Sequence, residues 1–281
     1  MVKIFYSPKC LDYWQEGHFE SPARVKNTYE LLKDEFTISE AMPCKKKDMI
    51  LVHSKRFVNS VASGNFFDKE SPNLPKIYEI ASLSAGGAVA AMKHTMKDNE
   101  NTFSLMRPPG HHAGKNFLGG FCYFNNIAIA VRKAMMKLDR IAILDIDGHH
   151  GNGTQDIFFG TEGVLYVSLH QKNAFPMSGF ISENNCFNYP LLPGTKPDKY
   201  LETLEDAIEK IDEFNPDLIA VSAGFDTYKN DPLLNIELNV KTYREIASLV
   251  AGLKKPTFAV LEGGYHEDLP KCILEFLRGI E

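Results

Sequence analysis

The sequence has few cysteines, and none of them form a Cys-x-x-Cys pair. The five are Cys10, Cys44, Cys122, Cys186 and Cys272. Their odd number argues against a disulfide framework, and the opening residues 1–6 are typical of a strand rather than a secretion signal. We therefore expect reduced thiols in a cytoplasmic protein.

The chain also lacks a long hydrophobic run and an excess of basic residues. No apolar segment approaches the about 20 residues that cross a bilayer, so no membrane span is expected. The net charge is −5, whereas proteins that bind nucleic acids usually carry a basic patch. Low-complexity linkers and internal repeats are absent, and we expect residues 1–281 to form a single domain.

Short apolar runs alternate with stretches of helical periodicity along the chain. The predicted strands are Lys3–Ser7, Thr102–Met106, Ile141–Asp147, Val164–His170, Leu218–Gly224 and Pro256–Gly263. The predicted helices are Pro22–Glu35, Pro75–Met96, Asn125–Lys137, Asp198–Phe214, Val240–Leu253 and Asp268–Leu277. This alternation predicts an α/β fold with a parallel sheet covered on both faces. Residues 173–194 lack periodicity and are predicted to be an irregular binding loop.

Groups capable of chemistry follow four of these strands. They are the loop 107–114, the cluster 145–153, Asp226 and the segment 262–265. Because open parallel sheets collect ligand groups at the carboxyl ends of their strands, we expect these groups to lie together.

The cluster after the third predicted strand is typical of a metal site. Asp147 and His149 are two residues apart and face the same way in an extended segment. Carboxylate and imidazole suit Zn²⁺ and Fe²⁺. Asp226 is the best candidate for a third ligand, although simple alternation also places Asp145 on the same face. Two carboxylates and one imidazole leave coordination positions open, as a catalytic metal requires.

Other residues in these loops suit acid–base chemistry and substrate binding. His111 and His112 can exchange protons near neutral pH. Tyr265 offers a hydroxyl group to the oxyanion of a tetrahedral intermediate. Phe121 and Phe175 lie in loops, where they either pack in the core or form walls around an apolar part of a substrate.

With these residues the chain resembles the histone deacetylase family of the arginase–deacetylase superfamily, and most closely its class II branch. The resemblance extends from His18 to Tyr265. It depends on the segments RPPGHH at 107–112, GGFCYFNN at 119–126 and DGHHGNGTQ at 147–155. It implies a three-layer fold with a mostly parallel central sheet and helices on both faces.

The resemblance also implies roles for individual residues. Asp147, His149 and Asp226 would bind one catalytic Zn²⁺ per chain, with Fe²⁺ as the alternative ion. His112 would act as the general base, and Tyr265 would polarise the substrate carbonyl.

Further residues would support these groups. His111 would be an electrostatic partner held by Asp145, and Asn152 would lie behind the second histidine. Gly120, Phe121 and Phe175 would line a channel for an extended alkyl chain. Arg24 resembles the arginine of a product-release cavity. A structural K⁺ or Na⁺ would bind at Asp145, Asp147, His149, Ser168 and Leu169.

The chain departs from the family pattern at several positions. Gly148 replaces a larger apolar residue in the metal-binding segment. Leu233, a further channel residue, replaces the acidic gatekeeper of a polyamine-selective relative. The rim carboxylate that grips the substrate backbone could correspond to Asp68 or Glu70, with Asn73 as a third candidate.

The predicted function is zinc-dependent hydrolysis of acyl-lysine or a similar acylated amine. An acetylpolyamine or another small amide is the alternative substrate. A binuclear ureohydrolase is less favoured, because Gly151 and Tyr228 stand where its second metal would need carboxylates. An inactive acyl-lysine-binding protein is also less favoured, because Tyr265 and the metal ligands are present.

Overall fold

The computed structural model describes residues 2–281, and an eight-stranded sheet lies at the centre of this part of the chain. The strands are β1 Lys3–Tyr6, β2 Thr37–Glu40, β3 Thr102–Ser104, β4 Ile141–Asp145, β5 Val164–Gln171, β6 Cys186–Leu191, β7 Leu218–Ala223 and β8 Thr257–Leu261. Their order is β2-β1-β3-β8-β7-β4-β5-β6, and every neighbouring pair is parallel. The predicted α/β fold is confirmed.

Two layers of helices cover the sheet. The helices are α1 Pro22–Leu32, α2 Lys46–Met49, α3 Lys55–Ala62, α4 Ile77–Asp98, α5 Asn126–Ala134, α6 Asn152–Phe158, α7 Pro197–Phe214, α8 Thr242–Gly252 and α9 Leu269–Ile280. Helices α1, α9, α8 and α7 pack in a row, while α5 contacts α4, α2 and α6. Strands β4, β7 and β8 are buried along their whole length, as expected for a sheet covered on both faces. Within residues 2–281, no helix is both long and apolar enough to span a membrane.

The edges of the sheet differ from the prediction. Strand β2 was not predicted, because its sequence TISE is polar and half-exposed. The prediction that residues 173–194 are irregular was wrong for Cys186–Leu191, which forms β6. The last residues of β6 include Pro190, which an edge strand tolerates because one side of its backbone is unpaired.

A buried ion pair fixes the N-terminal segment to the loop that follows β3. Arg107 is completely buried, and its Nε donates to Glu20 Oε1 at 2.8 Å. Its Nη1 donates to the carbonyl oxygens of Cys10 and Tyr13, both at 2.9 Å. The planar guanidinium group therefore satisfies acceptors of three residues within the segment 10–20 at once.

Arg107→Lys should lower the free energy of unfolding by at least about 2 kcal/mol, because one ammonium group cannot replace these donors in their fixed planar arrangement. Urea denaturation of the variant and the wild type measures this loss. Arg278→Lys is the control, since Arg278 pairs with Glu35 at the surface and should cost at most about 1 kcal/mol. Equal losses of unfolding free energy in the two variants would contradict the stabilising role of the buried Arg107 hydrogen bonds.

Candidate active site at the carboxyl ends of the strands

A pocket of about 510 Å³ opens at the carboxyl ends of the central strands. The predicted site residues that line it are His112, Gly120, Phe121, His149, Phe175, Leu233 and Tyr265. They follow strands β3, β4, β5, β7 and β8, which are adjacent in the sheet. The parallel order therefore brings together groups that lie far apart in the sequence.

Asp147, His149 and Asp226 form a group that could hold one metal ion. Each offers a ligand atom, and these atoms lie within 4.8 Å of one another. His149 Nδ1 is 2.7 Å from Asp226 Oδ2 and 3.2 Å from Asp147 Oδ1. Both carboxylates are completely buried. Two buried carboxylates and an imidazole are a donor set that fits a divalent cation such as Zn²⁺ or Fe²⁺.

Glycines surround these carboxylates because a side chain would collide with them. A Cβ atom at Gly224 would lie 2.1 Å from Asp147 Oδ2, and one at Gly263 would lie 2.6 Å from the same atom. The Gly263 backbone N–H instead donates to Asp147 Oδ2 at 2.7 Å. The Gly148 N–H donates to Asp226 Oδ1 at 2.7 Å. The backbone therefore orients each carboxylate.

The electrostatics of the group also favour a cation. Burial and the charge of Asp147 raise the pKa of Asp226 to about 6. Burial alone would lower the pKa of His149, but Asp226 and Asp147 raise it to about 10. The imidazole thus keeps a proton that offsets the carboxylate charges, and a bound metal ion would displace that proton.

Two acid–base residues lie beside this group with opposite electrostatic surroundings. His111 Nδ1 is 3.1 Å from Asp145 Oδ2, and His112 Nδ1 donates to Asn152 Oδ1 at 2.8 Å. Burial opposes a charge on His111, but Asp147 and Asp145 raise its pKa to about 10. Burial and the neighbouring His111 lower the pKa of His112 well below its usual value. These surroundings favour a protonated His111 and a neutral His112.

Asp145 is placed apart from the metal-binding group. Its Oδ2 contacts His111 and accepts a hydrogen bond from the Tyr166 hydroxyl at 3.1 Å. Asp145 pairs with Ser168 in the β4–β5 register. The Ser168 hydroxyl lies 2.8 Å from His170 Nδ1. The monovalent-cation site at these residues and Leu169 stays a prediction.

Tyr265 contributes its ring and hydroxyl to the pocket. Burial raises its pKa well above the usual value, so the hydroxyl keeps its proton. The Arg24 guanidinium lies 4.6 Å from the centre of the ring. The Phe121 ring packs against the same ring edge-to-face at 5.5 Å. These contacts restrict the orientation of a hydrogen-bond donor near the metal group.

Phe121 and Phe175 line the pocket rather than the core. Phe175 packs edge-to-face on His112 at 4.9 Å and remains 41% exposed. Gly120, beside Phe121, has a positive φ of 53°. A Cβ atom at Gly120 would lie 2.4 Å from His112 Cδ2. Glycine is therefore required beside the His112 ring.

The departures from the family pattern have local explanations. A Cβ atom at Gly148 would lie 2.2 Å from Leu234 Cδ1, so the Leu234 side chain fills the space that a larger residue would need. Of the three rim candidates, Glu70 lines the pocket. Asp68 Oδ1 accepts hydrogen bonds from the backbone of the same loop, and Asn73 donates to the Gly64 carbonyl.

Arg24 lines a separate cavity of about 170 Å³ on the other side of Tyr265. Its three guanidinium nitrogens donate to Glu20, to the Gly264 carbonyl and to the Glu262 carbonyl. The residue thus braces the segment that carries Tyr265. Its role in product release stays a prediction.

Glu262 is a site residue for which the sequence predicted no role. It is completely buried after β8. Its Oε2 accepts hydrogen bonds from the backbone N–H groups of Gly110 at 2.7 Å and His111 at 3.1 Å. Burial raises its pKa to about 7. It ties the histidine loop to the Tyr265 segment, and only its position directly after a buried strand was visible in the sequence.

Within residues 2–281, suitable ligands for a second metal ion are absent. In the part of the chain that the structure describes, one group of three ligands meets the geometric requirement. The Tyr228 hydroxyl donates to Asp268 Oδ2 at 2.9 Å and its ring stacks on His266. A Cβ atom at Gly151 would lie 2.2 Å from Asp145 Oδ2. This arrangement favours a single ion.

Comparisons with known proteins agree with this geometry. Residues 18–280 match the family described as the histone deacetylase domain. A histone deacetylase-like amidohydrolase of Pseudomonas aeruginosa is 36% identical, covering 94% of this chain and 78% of its own. A probable deacetylase of Archaeoglobus fulgidus is 34% identical, with coverages of 88% and 76%. The crystal structure of an acetylpolyamine aminohydrolase from Burkholderia pseudomallei superimposes with a TM-score of 0.92 at 27% identity, covering 100% of this chain and 98% of that one.

Proposed function

The chain belongs to the histone deacetylase family and is a hydrolase of amide bonds, and we propose that it uses a single Zn²⁺ to deacylate acyl-lysine or a similar acylated amine. The observation that carries this proposal is one pocket lined by His149 of the three-ligand group, by His112, whose pKa is lowered, and by Tyr265, whose pKa is raised. Asp147, His149 and Asp226 would hold the ion. When bound, such an ion polarises a carbonyl group and makes water more acidic.

The side chains of this pocket would divide the remaining work. The alkyl chain of the substrate would lie between Phe121 and Phe175, which places its amide near His149 and Tyr265. His112 Nε2 would accept a proton from the attacking water and later transfer it to the departing amine. The Tyr265 hydroxyl would donate a hydrogen bond to the oxyanion. His111, held as a cation by Asp145, would keep His112 neutral and ready to accept the proton.

Tyr265→Phe should lower kcat by about 10²–10³, because it removes one donor to the oxyanion. Metal content and the free energy of unfolding should remain close to those of the wild type. Steady-state kinetics with metal-analysed protein measures the loss. Tyr189→Phe, outside the pocket on β6, is the matched control and should retain its rate. A Tyr265→Phe enzyme with near-normal kcat would exclude the role proposed for the hydroxyl.

The substrate is proposed to be acyl-lysine-like rather than a polyamine. An acetylated polyamine would keep its unacylated, cationic amines near the pocket entrance, and their binding would require carboxylates there. Glu70 is the carboxylate that lines the described pocket, and the cationic Lys69 lies beside it. Leu233, which also lines the pocket, is apolar. The structural similarity to an acetylpolyamine aminohydrolase makes the acetylated polyamine the second candidate.

A direct comparison of substrates tests this choice. We expect kcat/KM for an acetyl-lysine peptide to exceed that for an acetylated diamine of equal acyl length by at least about tenfold, a difference of about 1.4 kcal/mol in transition-state stabilisation. Leu233→Glu should raise kcat/KM for the diamine and so reduce the ratio of the two kcat/KM values. Leu192→Glu, at an exposed position outside the pocket lining, should leave that ratio unchanged. A wild-type preference for the diamine would establish the second candidate.

A further inference from the structure

Asp231 carries a carboxylate for which the proposed reaction has no use. It lies five residues after Asp226 and directly before Pro232. In the structure its side chain accepts two backbone N–H groups. Asp231 Oδ2 accepts the backbone N–H of Tyr265 at 2.8 Å, and Oδ1 accepts the N–H of Leu233 at 2.9 Å.

From these contacts we infer that Asp231 is a positioning residue that holds Tyr265 in its reactive place. The inference deepens the proposed function and rests on it, because it assigns to Asp231 the task of presenting the Tyr265 hydroxyl to the substrate. Asp231 is 7% exposed, so its hydrogen bonds are shielded from water.

The backbone around Tyr265 needs such a restraint. Gly264 has a positive φ of 113°, a conformation that glycine enters and leaves easily. The restraints on this turn come from its neighbours: Arg24 Nε donates to the Gly264 carbonyl at 2.6 Å, and Asp231 accepts the next N–H along the chain. Loss of the Asp231 contact would free the amide directly before the Tyr265 side chain.

A carboxylate is the group that suits this place. Each of its two oxygens accepts one N–H, so both backbone donors are satisfied. An asparagine would direct its NH₂ group at one of those donors and leave that donor unpaired. Burying a carboxylate costs free energy. The cost is understandable if the residue fixes two parts of the pocket lining, Tyr265 and Leu233.

Kinetics of a double-mutant cycle test the inference. Asp231→Ala in the metal-loaded enzyme should lower kcat on the acetyl-lysine peptide by about 10²-fold, the cost expected for a small displacement of a reacting group, with little change in KM. In the Tyr265→Phe background the same substitution should cost no more than about twofold, because the hydroxyl it positions is already absent. Asp268→Ala is the control, since Asp268 lies three residues beyond Tyr265 and bonds to Tyr228 and Lys271.

The contact itself can be measured without any activity. In protein labelled with ¹⁵N-tyrosine, the Tyr265 amide of the wild type should resonate downfield and exchange slowly with solvent. Asp231→Ala should move it upfield and raise its exchange rate at least about tenfold, the equivalent of about 1.4 kcal/mol of lost hydrogen-bond protection. The Tyr243 amide, in α8, should remain unchanged. Asp231→Leu, which has a similar shape but no acceptor, provides the second variant if alanine prevents folding.

The outcomes separate this inference from the proposed function. An unchanged Tyr265 amide in the Asp231 variants would overturn the positioning role, whatever the substrate. Equal losses of kcat in the wild-type and Tyr265→Phe backgrounds would overturn it too, because they would show that Asp231 acts independently of the hydroxyl. If the wild type hydrolyses no acylated amine while the Asp231 variants still show the amide changes, the proposed function is contradicted. Asp231 is then a structural contact only.

Discussion

Replacing His112 with alanine should lower kcat by about 10²–10⁴, the usual contribution of a general acid–base residue. The reason lies in the surroundings of the ring. Its Nδ1 is committed to Asn152, and burial together with the charge of His111 lowers its pKa well below the usual value. His112 is thus a neutral base with one free nitrogen. Because His112 is outside the metal-binding group, metal content should not change.

Single-turnover kinetics on metal-analysed protein measures this loss. His18→Ala is the control, because His18 lines the same pocket and packs on Phe121 without contacting the metal group. It should alter KM more than kcat. If His112→Ala retained the wild-type kcat, proton transfer would have to be assigned to another residue, and His111 would be the first to examine.

Asp226→Ala should reduce both metal affinity and turnover by more than about 100-fold, the upper range seen when only an outer partner of a metal ligand is removed. The substitution removes one of three ligands. It also deprives the Gly148 N–H of its acceptor and leaves His149 without its closest carboxylate. Metal titration by calorimetry, with elemental analysis of the purified protein, gives the affinity.

The control for Asp226 is a carboxylate in the same pocket that is remote from the ion. Glu70→Ala at the rim should keep full metal content and change only substrate binding. An Asp226→Ala protein that bound one metal ion with wild-type affinity would remove Asp226 from the ligand set. Asp145 would then become the best third ligand, as simple alternation in the sequence also allows.

The central strands were predictable because they are apolar throughout. β4 reads IAILD and β7 reads LIAVSA, and both are wholly buried. The edge strands were not predictable, because β2 and β6 are only partly buried and carry polar residues and a proline. Their strand conformation depends on pairing with a neighbour, which a local pattern does not contain.

The site was predictable to the extent that its residues follow buried strands or match family motifs. Asp147 and His149 satisfied both conditions. The place of Asp145 beside His111 was predicted from the resemblance alone, because it depends on how the loop after β3 crosses the end of β4. Glu262 accepts the backbone N–H groups of the distant Gly110 and His111, and Asp231 accepts that of the distant Tyr265. Because almost any residue can supply a backbone N–H, such hydrogen bonds cannot be predicted from the residue types in the sequence.

The most direct test of the account is a titration of metal-free protein with Zn²⁺ while hydrolysis of an acetyl-lysine peptide is followed. We expect no turnover without metal, and activity that rises linearly and saturates at one ion per chain. Fe²⁺ in a parallel titration would identify the more active ion. Turnover in the metal-free protein, or saturation only at two ions per chain, would contradict a single-metal deacylase.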